Sequence, residues 1–292
     1  MTGWCLSIPD GREKKAFTLI ELLVVSAIIA LLAGMLVPAM GKVREKARSA
    51  VCLSNVRRLA IAGTLYVSDH GEFPPVRLKN NPDGTEHVNK YGRKEPRWQW
   101  FLDQGIGPVI DPKPYVANPG DTFGDNETRI MTNDYFTCPS LKGQYERDIR
   151  NGAYGYNYQY LGNSRTLADG SYANFPVGET QIQAPGATIL IGDSRGGNIP
   201  HGKHSYTLDP PKLAASKGAV AFGPNGTSDG PIAHSPTEAR HSDLANISFV
   251  DGHAEGLTLR ELGYHVDAAG NPVANGAEAD NRLWTGTARD EP

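Results

Sequence analysis

The sequence predicts an α+β fold: one long N-terminal α-helix, over about residues 17–68, packed on a C-terminal antiparallel β-sheet domain with long loops. Residues 17–40 are apolar with one charge, and residues 41–70 continue with the three- and four-residue spacing of an amphipathic helix. Residues 71–292 hold short alternating segments between glycine- and proline-rich stretches, which is typical of strands and loops.

The apolar run Phe17–Met40 has 24 residues, and Glu21 is its one charged residue. A helix of this length spans about 36 Å, enough to cross a bilayer core of about 30 Å. A secretory signal peptide would have a shorter apolar core, of about 7–15 residues. We therefore interpret residues 17–40 as the transmembrane half of the helix. Glu21 either has a partner in the membrane or lies at headgroup depth, because an isolated carboxylate in lipid is costly.

The helix is predicted to continue as an amphipathic half over residues 41–70. Its apolar stripe consists of eight residues spaced three or four apart: Val43, Ala47, Ala50, Leu53, Val56, Ala60, Gly63 and Val67. Helix-breaking residues follow, namely Asp69, Gly71 and Pro74, so we expect the helix to end near Ser68. Residues 71–292 then form the globular β-rich domain.

The segment KKAFTLIELLVV, Lys14–Val25, resembles the processing segment of type IV prepilins and type II secretion pseudopilins. In that family a membrane prepilin peptidase removes a short basic leader and methylates the new N-terminal phenylalanine. The resemblance implies a leader peptide at residues 1–16, cleavage between Ala16 and Phe17, and N-methylation of Phe17. Ala16 stands where the family usually has glycine.

The resemblance also implies roles for two residues of the helix. Glu21 would pair with the freed α-amino group of a neighbouring subunit, and Pro38 would soften the helix because proline lacks an N–H group. The implied partners are prepilin peptidase, other pilin or pseudopilin subunits, an inner-membrane assembly platform and membrane lipid.

The location implied by the resemblance is the inner (cytoplasmic) membrane. The chain would cross it once, with the globular domain on the periplasmic side and, after assembly, in a filament. The positive-inside rule favours the opposite orientation. Residues 42–58 hold six basic residues and one acidic residue, whereas residues 10–15 hold three and two. We give the resemblance more weight because its motif is specific and the charge rule is statistical.

The chain has three cysteines, and Cys5 lies in the predicted leader. The mature chain would therefore keep Cys52 and Cys138. An even number of cysteines on the oxidising side of a membrane suggests a disulfide between them. Two separate thiols are the alternative. The bond would join the long helix to the globular domain.

Three segments of the globular domain have clear strand or turn patterns. The apolar run Ala187–Ser194 predicts a strand, and so does Tyr154–Gly162, whose tyrosines fall at every second position. Asp251-Gly252 lies between two alternating segments and predicts a β-hairpin near residues 240–259. We expect a type I′ turn there, which needs positive φ at both turn residues.

His241, nine further residues and then Asp251-Gly252 form an H-X9-DG spacing. It resembles an element near the C-terminal end of large prepilin-like proteins from bacteria such as planctomycetes, in which no role is assigned to it. Ten extended steps of about 3.3 Å would separate His241 from Asp251 by about 33 Å. We therefore expect separate roles: a turn at Asp251-Gly252, and packing or hydrogen bonding by His241 at the far end of the strand.

Metal binding is the rival interpretation for the polar residues of the C-terminal half. The candidate ligands are His201, His204, His234, His241, His253, Asp193 and Asp251. Neither an HExxH nor a CxxC pair is present, so no transition metal is expected. The segment Asp121–Glu127 offers oxygen ligands for calcium but lacks the EF-hand pattern, and a solvated loop is the simpler interpretation.

These patterns favour a structural, pilin-like subunit that assembles through its hydrophobic helix into a type II secretion pseudopilus or a type IV pilus-like filament. No Walker A motif is present, and an enzyme is not expected. The net charge of −3 gives no reason to expect nucleic acid as a partner. The alternative is a membrane-tethered extracytoplasmic binding module that forms no filaments. Trp98, Trp100 and the tyrosine strand are its candidate surfaces.

Overall fold

The computed structural model describes residues 17–91, 94–109, 131–141, 152–166, 172–195, 206–212, 235–273 and 276–290. The chain divides into two compact units, Met1–Arg44 and Glu45–Pro292. The long helix α1, Leu19–His70, starts in the first unit and ends in the second, and antiparallel sheets follow it in the chain. The predicted α+β fold class is confirmed, with the helix shifted along the chain by about two residues.

Helix α1 starts with a capping box. The amide and hydroxyl of Thr18 both donate to Glu21 Oε2, at 2.8 Å each, and the hydroxyl accepts from the Glu21 amide at 3.3 Å. A threonine cap with a glutamate three residues later satisfies N–H groups that have no partner inside the helix. The sequence TLIE thus explains why the helix begins at Leu19 rather than at Phe17.

Gly71 ends α1. Its φ of +75° is in the left-handed region, and its amide donates to the Val67 carbonyl at 2.7 Å. This is a common glycine cap for a helix C-terminus. The helix passes the predicted end at Ser68 because its last turn has local contacts: the rings of Tyr66 and His70 stack with their centroids 4.0 Å apart.

The apolar run occupies the N-terminal part of α1. Its described side chains are exposed, from Phe17 at 82% to Met40 at 50%. Helix α1 is long and apolar enough to cross a membrane, judged by length and composition. Pro38 lies inside its bounds. A continuous apolar surface of this length suits lipid rather than water, which makes this part of α1 a candidate membrane anchor.

The remaining elements are short. Helices α2 and α3 span Asp103–Ile106 and Tyr158–Leu161, and 3-10 segments span Trp98–Phe101, Asp134–Phe136, Glu179–Gln181 and Pro185–Ala187. The strands are β1 (Tyr154–Tyr156), β2 (Gly162–Thr166), β3 (Tyr172–Pro176), β4 (Ile189–Asp193), β5 (Ala245–Phe249), β6 (Ala254–Leu257), β7 (His265–Val266) and β8 (Pro272–Val273). Strands β1, β4, β5 and β6 form an antiparallel sheet in the order β1-β4-β5-β6, while β2 pairs with β3 and β7 with β8. Strand β4 and the β5–β6 hairpin appear where the sequence predicts them.

Strands β1, β4 and β5 of the four-stranded sheet are buried, whereas the edge strand β6 is partly exposed. On one face, Leu190 of β4 joins a core that includes the inner side of α1. On the other face, the apolar residues of β5 pack with Trp284 and other residues of the C-terminal segment. Alternation along β5 leaves Asn246 on the α1 side, where its side-chain amide donates to the Ser49 carbonyl at 3.1 Å. The sheet is thus the middle of three layers in the second unit.

The buried face of α1 agrees with the predicted stripe in one half of the amphipathic segment. Val56, Ala60 and Val67 are buried, as predicted. Ala47 and Ala50 are exposed, and the residues that are turned inward near them are Glu45, Arg48, Ser49 and Cys52. The predicted stripe is wrong there because polar and covalent contacts, rather than apolar packing, position this part of the helix.

The predicted tyrosine strand is shorter than expected. Strand β1 ends at Tyr156 because Asn157 leaves the extended conformation, with φ −70° and ψ 70°. The Asn157 side-chain amide donates to the carbonyls of Ile189 and Trp284, at 2.9 and 3.0 Å. The four tyrosines are all buried, namely Tyr154, Tyr156, Tyr158 and Tyr160, so they contribute to the core rather than to a surface.

Candidate functional site

His241, the histidine of the H-X9-DG spacing, is the first residue of a tight turn. His241 and Leu244 exchange backbone hydrogen bonds of 2.9 and 3.2 Å, and Ser242 and Asp243 between them have φ of +54° and +66°. Positive φ at both central residues defines a type I′ turn. The chain therefore folds back directly after His241, and His241 lies nearer to Asp251 than ten extended residues would place it.

The His241 imidazole lies between two carboxylates from different elements. Nδ1 is 3.2 Å from Glu45 Oε1 of α1, and Nε2 is 3.3 Å from Asp193 Oδ2 at the end of β4. The His241 side chain has no exposed surface. Burial lowers its pKa, but hydrogen bonding to Asp193, the charge of Asp193 and the hydrogen bond to Glu45 together outweigh burial. The net result is a pKa above the ordinary value of 6.5.

Glu45 is held by the loop that precedes β1 as well as by His241. Its Oε1 accepts from Ser140 Oγ at 2.8 Å, and Arg48 Nη1 lies 3.8 Å from Oε2. Burial raises the pKa of Glu45, but the hydrogen bonds from Ser140 and His241 outweigh it and bring the pKa below its ordinary value of 4.5. Glu45 is therefore ionised at neutral pH.

Asp193 is fully buried and has two further partners. Its Oδ2 accepts from the Asn246 amide at 2.7 Å, and Arg240 Nη1 is 3.9 Å from its Oδ1. The second contact is between charges and is too long for a hydrogen bond, so both of those atoms lack a hydrogen-bond partner. Arg240 Nη2 donates to the Ser194 carbonyl at 2.5 Å and pairs with Glu238 at 2.8 Å.

A disulfide joins Cys52 of α1 to Cys138 beside this cluster. The two Cα atoms are 5.2 Å apart, the residues are 86 positions apart in sequence, and both are buried. Cys138 Sγ is 3.5 Å from His241 Nε2, and the potential ligand atoms of Cys52, Cys138 and His241 lie within 4.8 Å of one another. Metals bind cysteine as the thiolate, and the disulfide uses both sulfurs. In the oxidised chain the disulfide connects α1 to the loop that precedes β1.

Asp251-Gly252 forms the turn between β5 and β6, but not the predicted type of turn. The Gly252 amide donates to the Phe249 carbonyl and the Phe249 amide to the His253 carbonyl, both at 3.0 Å. Gly252 has φ +89°, whereas Asp251 does not have positive φ. This is a type I turn followed by a left-handed glycine, which makes a loop of three residues. The type I′ prediction is wrong because Val250 also belongs to the loop.

The β5–β6 turn also contacts α1. Thr64 Oγ1 donates to the Ala60 carbonyl of its own helix at 3.0 Å and lies 3.4 Å from the Val250 carbonyl oxygen. Asp251 Oδ1 accepts from the amide and Nδ1 of His253, at 3.1 and 2.5 Å, and the His253 ring stacks on Phe249. The two ends of the H-X9-DG spacing thus have separate partners, and each end contacts a different part of α1.

The other predicted site residues are less connected. Phe17 is exposed, and Glu21 contacts Thr18 of its own chain. Several predictions fall outside the described residues: the leader 1–16 with Ala16, the calcium segment Asp121–Glu127, and His201, His204 and His234. Trp98 and Trp100 are 1% and 4% exposed, so the surfaces suggested for a binding module are part of the core.

One chemical motif that the sequence contains is GDSRG, Gly192–Gly196, a GxSxG pattern of the kind found around the nucleophile of serine hydrolases. The structure gives it another role. Ser194 is 2% exposed, and its hydroxyl donates to the Thr207 carbonyl at 3.1 Å. Within the described residues, no histidine nitrogen contacts this hydroxyl, and Asp193 rather than Ser194 contacts His241. The described part of the pattern, residues 192–195, is the end of β4 and the residues that follow it.

One partner of His241 is not identifiable from the sequence. Glu45 is a single acid in a basic segment, a pattern that also fits a solvent-exposed helix face. Asp193 belongs with His241 to the set of candidate metal ligands, and the structure places these two side chains in contact, with 3.3 Å between Nε2 and Oδ2. Arg240 adjoins His241 in sequence, so the motif itself could have indicated a charged cluster.

Comparison with known protein families gives two matches. The family described as prokaryotic N-terminal methylation motif matches residues 11–37, which include the Ala16-Phe17 junction and Glu21. The chain is therefore a prepilin-like protein with a candidate N-terminal membrane anchor.

A second family, described as protein of unknown function (DUF1559), matches residues 41–199, more than half of the chain. The chain belongs to this family. The match covers Glu45, Cys52, Cys138 and Asp193 and ends before His241. No curated protein and no solved structure matched the chain.

Proposed function

We propose that this protein is a structural, non-enzymatic pilin-like subunit. Prepilin peptidase cleaves it between Ala16 and Phe17 and methylates Phe17. Residues 17–40 hold it in the inner membrane, and the same helix assembles with other subunits into a type II secretion pseudopilus or a type IV pilus-like filament. The observation that carries the proposal is the methylation-motif match at residues 11–37, which spans the Ala16-Phe17 junction and most of the exposed apolar part of the helix.

In this proposal, Glu21 makes assembly depend on processing. In the single chain its carboxylate is held by Thr18, which satisfies hydrogen bonds but leaves the negative charge uncompensated. Cleavage creates a positive α-amino group on Phe17. In a bundle of helices, that group on one subunit compensates the Glu21 carboxylate of its neighbour, and a subunit out of register leaves both charges unpaired.

The proposal is tested on protein purified from its own cells. Mass spectrometry of the mature N-terminus should find N-methylated Phe17, and sheared material from the same cells should contain filaments of this chain. An intact Met1, or cleavage at another position, would contradict the proposed processing. Correct processing without filaments would leave the protein as a membrane-tethered module.

Two variants separate the charge of Glu21 from its capping role. Glu21→Gln keeps an acceptor for Thr18 but has no charge, whereas Glu21→Ala lacks both. We expect both variants to be processed and both to lose most of the filament yield, because assembly depends on the charge. Normal filaments from Glu21→Gln together with loss in Glu21→Ala would assign the effect to the helix cap instead.

A further inference from the structure

We propose that His241 of the H-X9-DG motif is a proton-dependent clamp: its doubly protonated ring holds Glu45 of α1 to Asp193 of β4, and loss of one proton releases the Glu45–Ser49 turn of the helix. The proposal concerns the second unit alone. It holds whether or not the protein forms filaments.

The contacts of the ring favour a donor at both nitrogens. Nδ1 and Nε2 each face a carboxylate oxygen, at 3.2 and 3.3 Å. A neutral imidazole has one N–H group, so one of its nitrogens would direct a lone pair at a carboxylate. The imidazolium donates from both nitrogens and fits both contacts. The side chain is fully buried, so no bulk water can substitute for either partner.

The charges around the ring support the same state. Helix α1 contributes Glu45, whose Oε2 is near Arg48. Strand β4 contributes Asp193. The turn preceding β5 supplies His241 and Arg240, and Arg240 also pairs with Glu238. The loop at residues 138–140 contributes a disulfide sulfur and a serine hydroxyl, which carry no charge.

The formal charges of the four inner groups balance when His241 is protonated. Glu45 and Asp193 are two anions, and Arg240 and protonated His241 are two cations. Deprotonation of His241 leaves an uncompensated negative charge in a buried site, and the group that can move to water is Glu45, which is already partly exposed. The raised pKa of His241 and the lowered pKa of Glu45 are consistent with this pairing.

The disulfide limits how far the release can extend. Cys52 is covalently joined to Cys138, so the helix beyond it remains attached whatever the state of His241. Between Glu45 and Cys52, the described attachments to the sheet side are the Glu45 contacts and the hydrogen bond from Asn246 to the Ser49 carbonyl. The Asn246 bond does not involve His241, so deprotonation frees about one helical turn, as far as Ser49, rather than the whole helix.

The clamp is tested on the full chain in detergent micelles. NMR of histidine-labelled protein should give a pKa for His241 above 6.5, and hydrogen exchange of the Glu45–Ser49 amides, corrected for intrinsic pH dependence, should rise about tenfold or more as the pH passes that value. Amides of residues 56–67 should stay protected. A His241 pKa at or below 6.5, or exchange at Glu45–Ser49 that does not change with pH, would overturn the proposal.

Three variants make the test specific. Glu45→Gln keeps a hydrogen-bond acceptor without the charge and should lower the His241 pKa and flatten the exchange profile. His241→Asn cannot titrate and should remove the pH-dependent step altogether. His253→Asn changes an exposed histidine at the β5–β6 turn and should leave the step unchanged. If His241→Asn does not fold, Glu45→Gln still decides: an unchanged His241 pKa in that variant would contradict the clamp.

Discussion

At the scale of single residues, Cys52 and Cys138 form the connection that a simple chemical treatment can break. Their disulfide closes a segment of 86 residues and is buried. By the loss of chain entropy in the unfolded state, a bond of this span contributes about 4–5 kcal/mol in principle, and native disulfides typically contribute about 2–4 kcal/mol.

Replacing both cysteines, Cys52→Ser with Cys138→Ser, should therefore lower the melting temperature of the full chain by about 10 °C. Circular dichroism in detergent measures the change. The wild type in strong reductant is the matched control and should melt at the same reduced temperature, whereas reductant should not affect the double variant. Equal melting of oxidised wild type and double variant would contradict a stabilising bond.

Single residues were also the least predictable part of the site. The sequence could pair Cys52 with Cys138 because the predicted cleavage leaves only these two. The inward orientation of Glu45 could not be predicted. Its partner His241 is 196 positions away, and nothing local distinguishes Glu45 from the charged residues around it. The positive φ at Ser242 and Asp243 is a similar case, since neither residue usually adopts it.

At the scale of elements, we expect substitutions on the inner face of α1 to lower the free energy of unfolding and substitutions on its outer face to have little effect. Val56 is fully buried in the core, while Val51 on the same helix is 50% exposed. Val56→Ala should cost about 2 kcal/mol through lost burial and a residual cavity. Val51→Ala should change the unfolding free energy by less than about 0.5 kcal/mol. Denaturant unfolding of the two variants measures both, and similar losses would show that the helix face is assigned wrongly.

Elements were predictable where their pattern is strong and local. The continuous apolar run of β4 and the two alternating segments of β5 and β6 identify strands without any tertiary information. The tyrosine segment has an equally regular pattern, yet Asn157 interrupts it by bonding to Ile189 and Trp284. Since Trp284 is 127 positions away, no local pattern could predict the interruption.

At the scale of the whole molecule, two features of the sequence favour opposite orientations in the membrane. The basic residues at 42–58 favour a cytoplasmic globular unit, whereas the resemblance of Lys14–Val25 to prepilins implies the other side. The disulfide adds a structural reason, because such bonds persist in oxidising compartments.

We therefore expect protease added to spheroplasts to digest the chain beyond Glu45. Neutralising Lys42, Arg44 and Lys46 to glutamine is the matched control and should leave the orientation unchanged. Digestion only after cell lysis would place the globular unit in the cytoplasm and contradict the expected export.

The fold class could be predicted because the long helix and the loop-rich second part differ so clearly in composition. The third layer could not. The C-terminal segment covers the far face of the sheet through contacts such as Trp284 Nε1 to the Leu262 carbonyl at 3.0 Å, and its sequence resembles an ordinary loop region. Layers made from irregular chain have no periodicity from which to predict them.

The position of Cys52 also has a mechanical consequence. If the N-terminal part of α1 is pulled, as when a subunit is drawn out of lipid, the tension reaches the disulfide before it reaches most of the apolar contacts of the helix. A covalent bond does not yield to forces that separate packed side chains. Peeling of α1 from the sheet would therefore stop at Cys52 in the oxidised protein and continue past it in the reduced one.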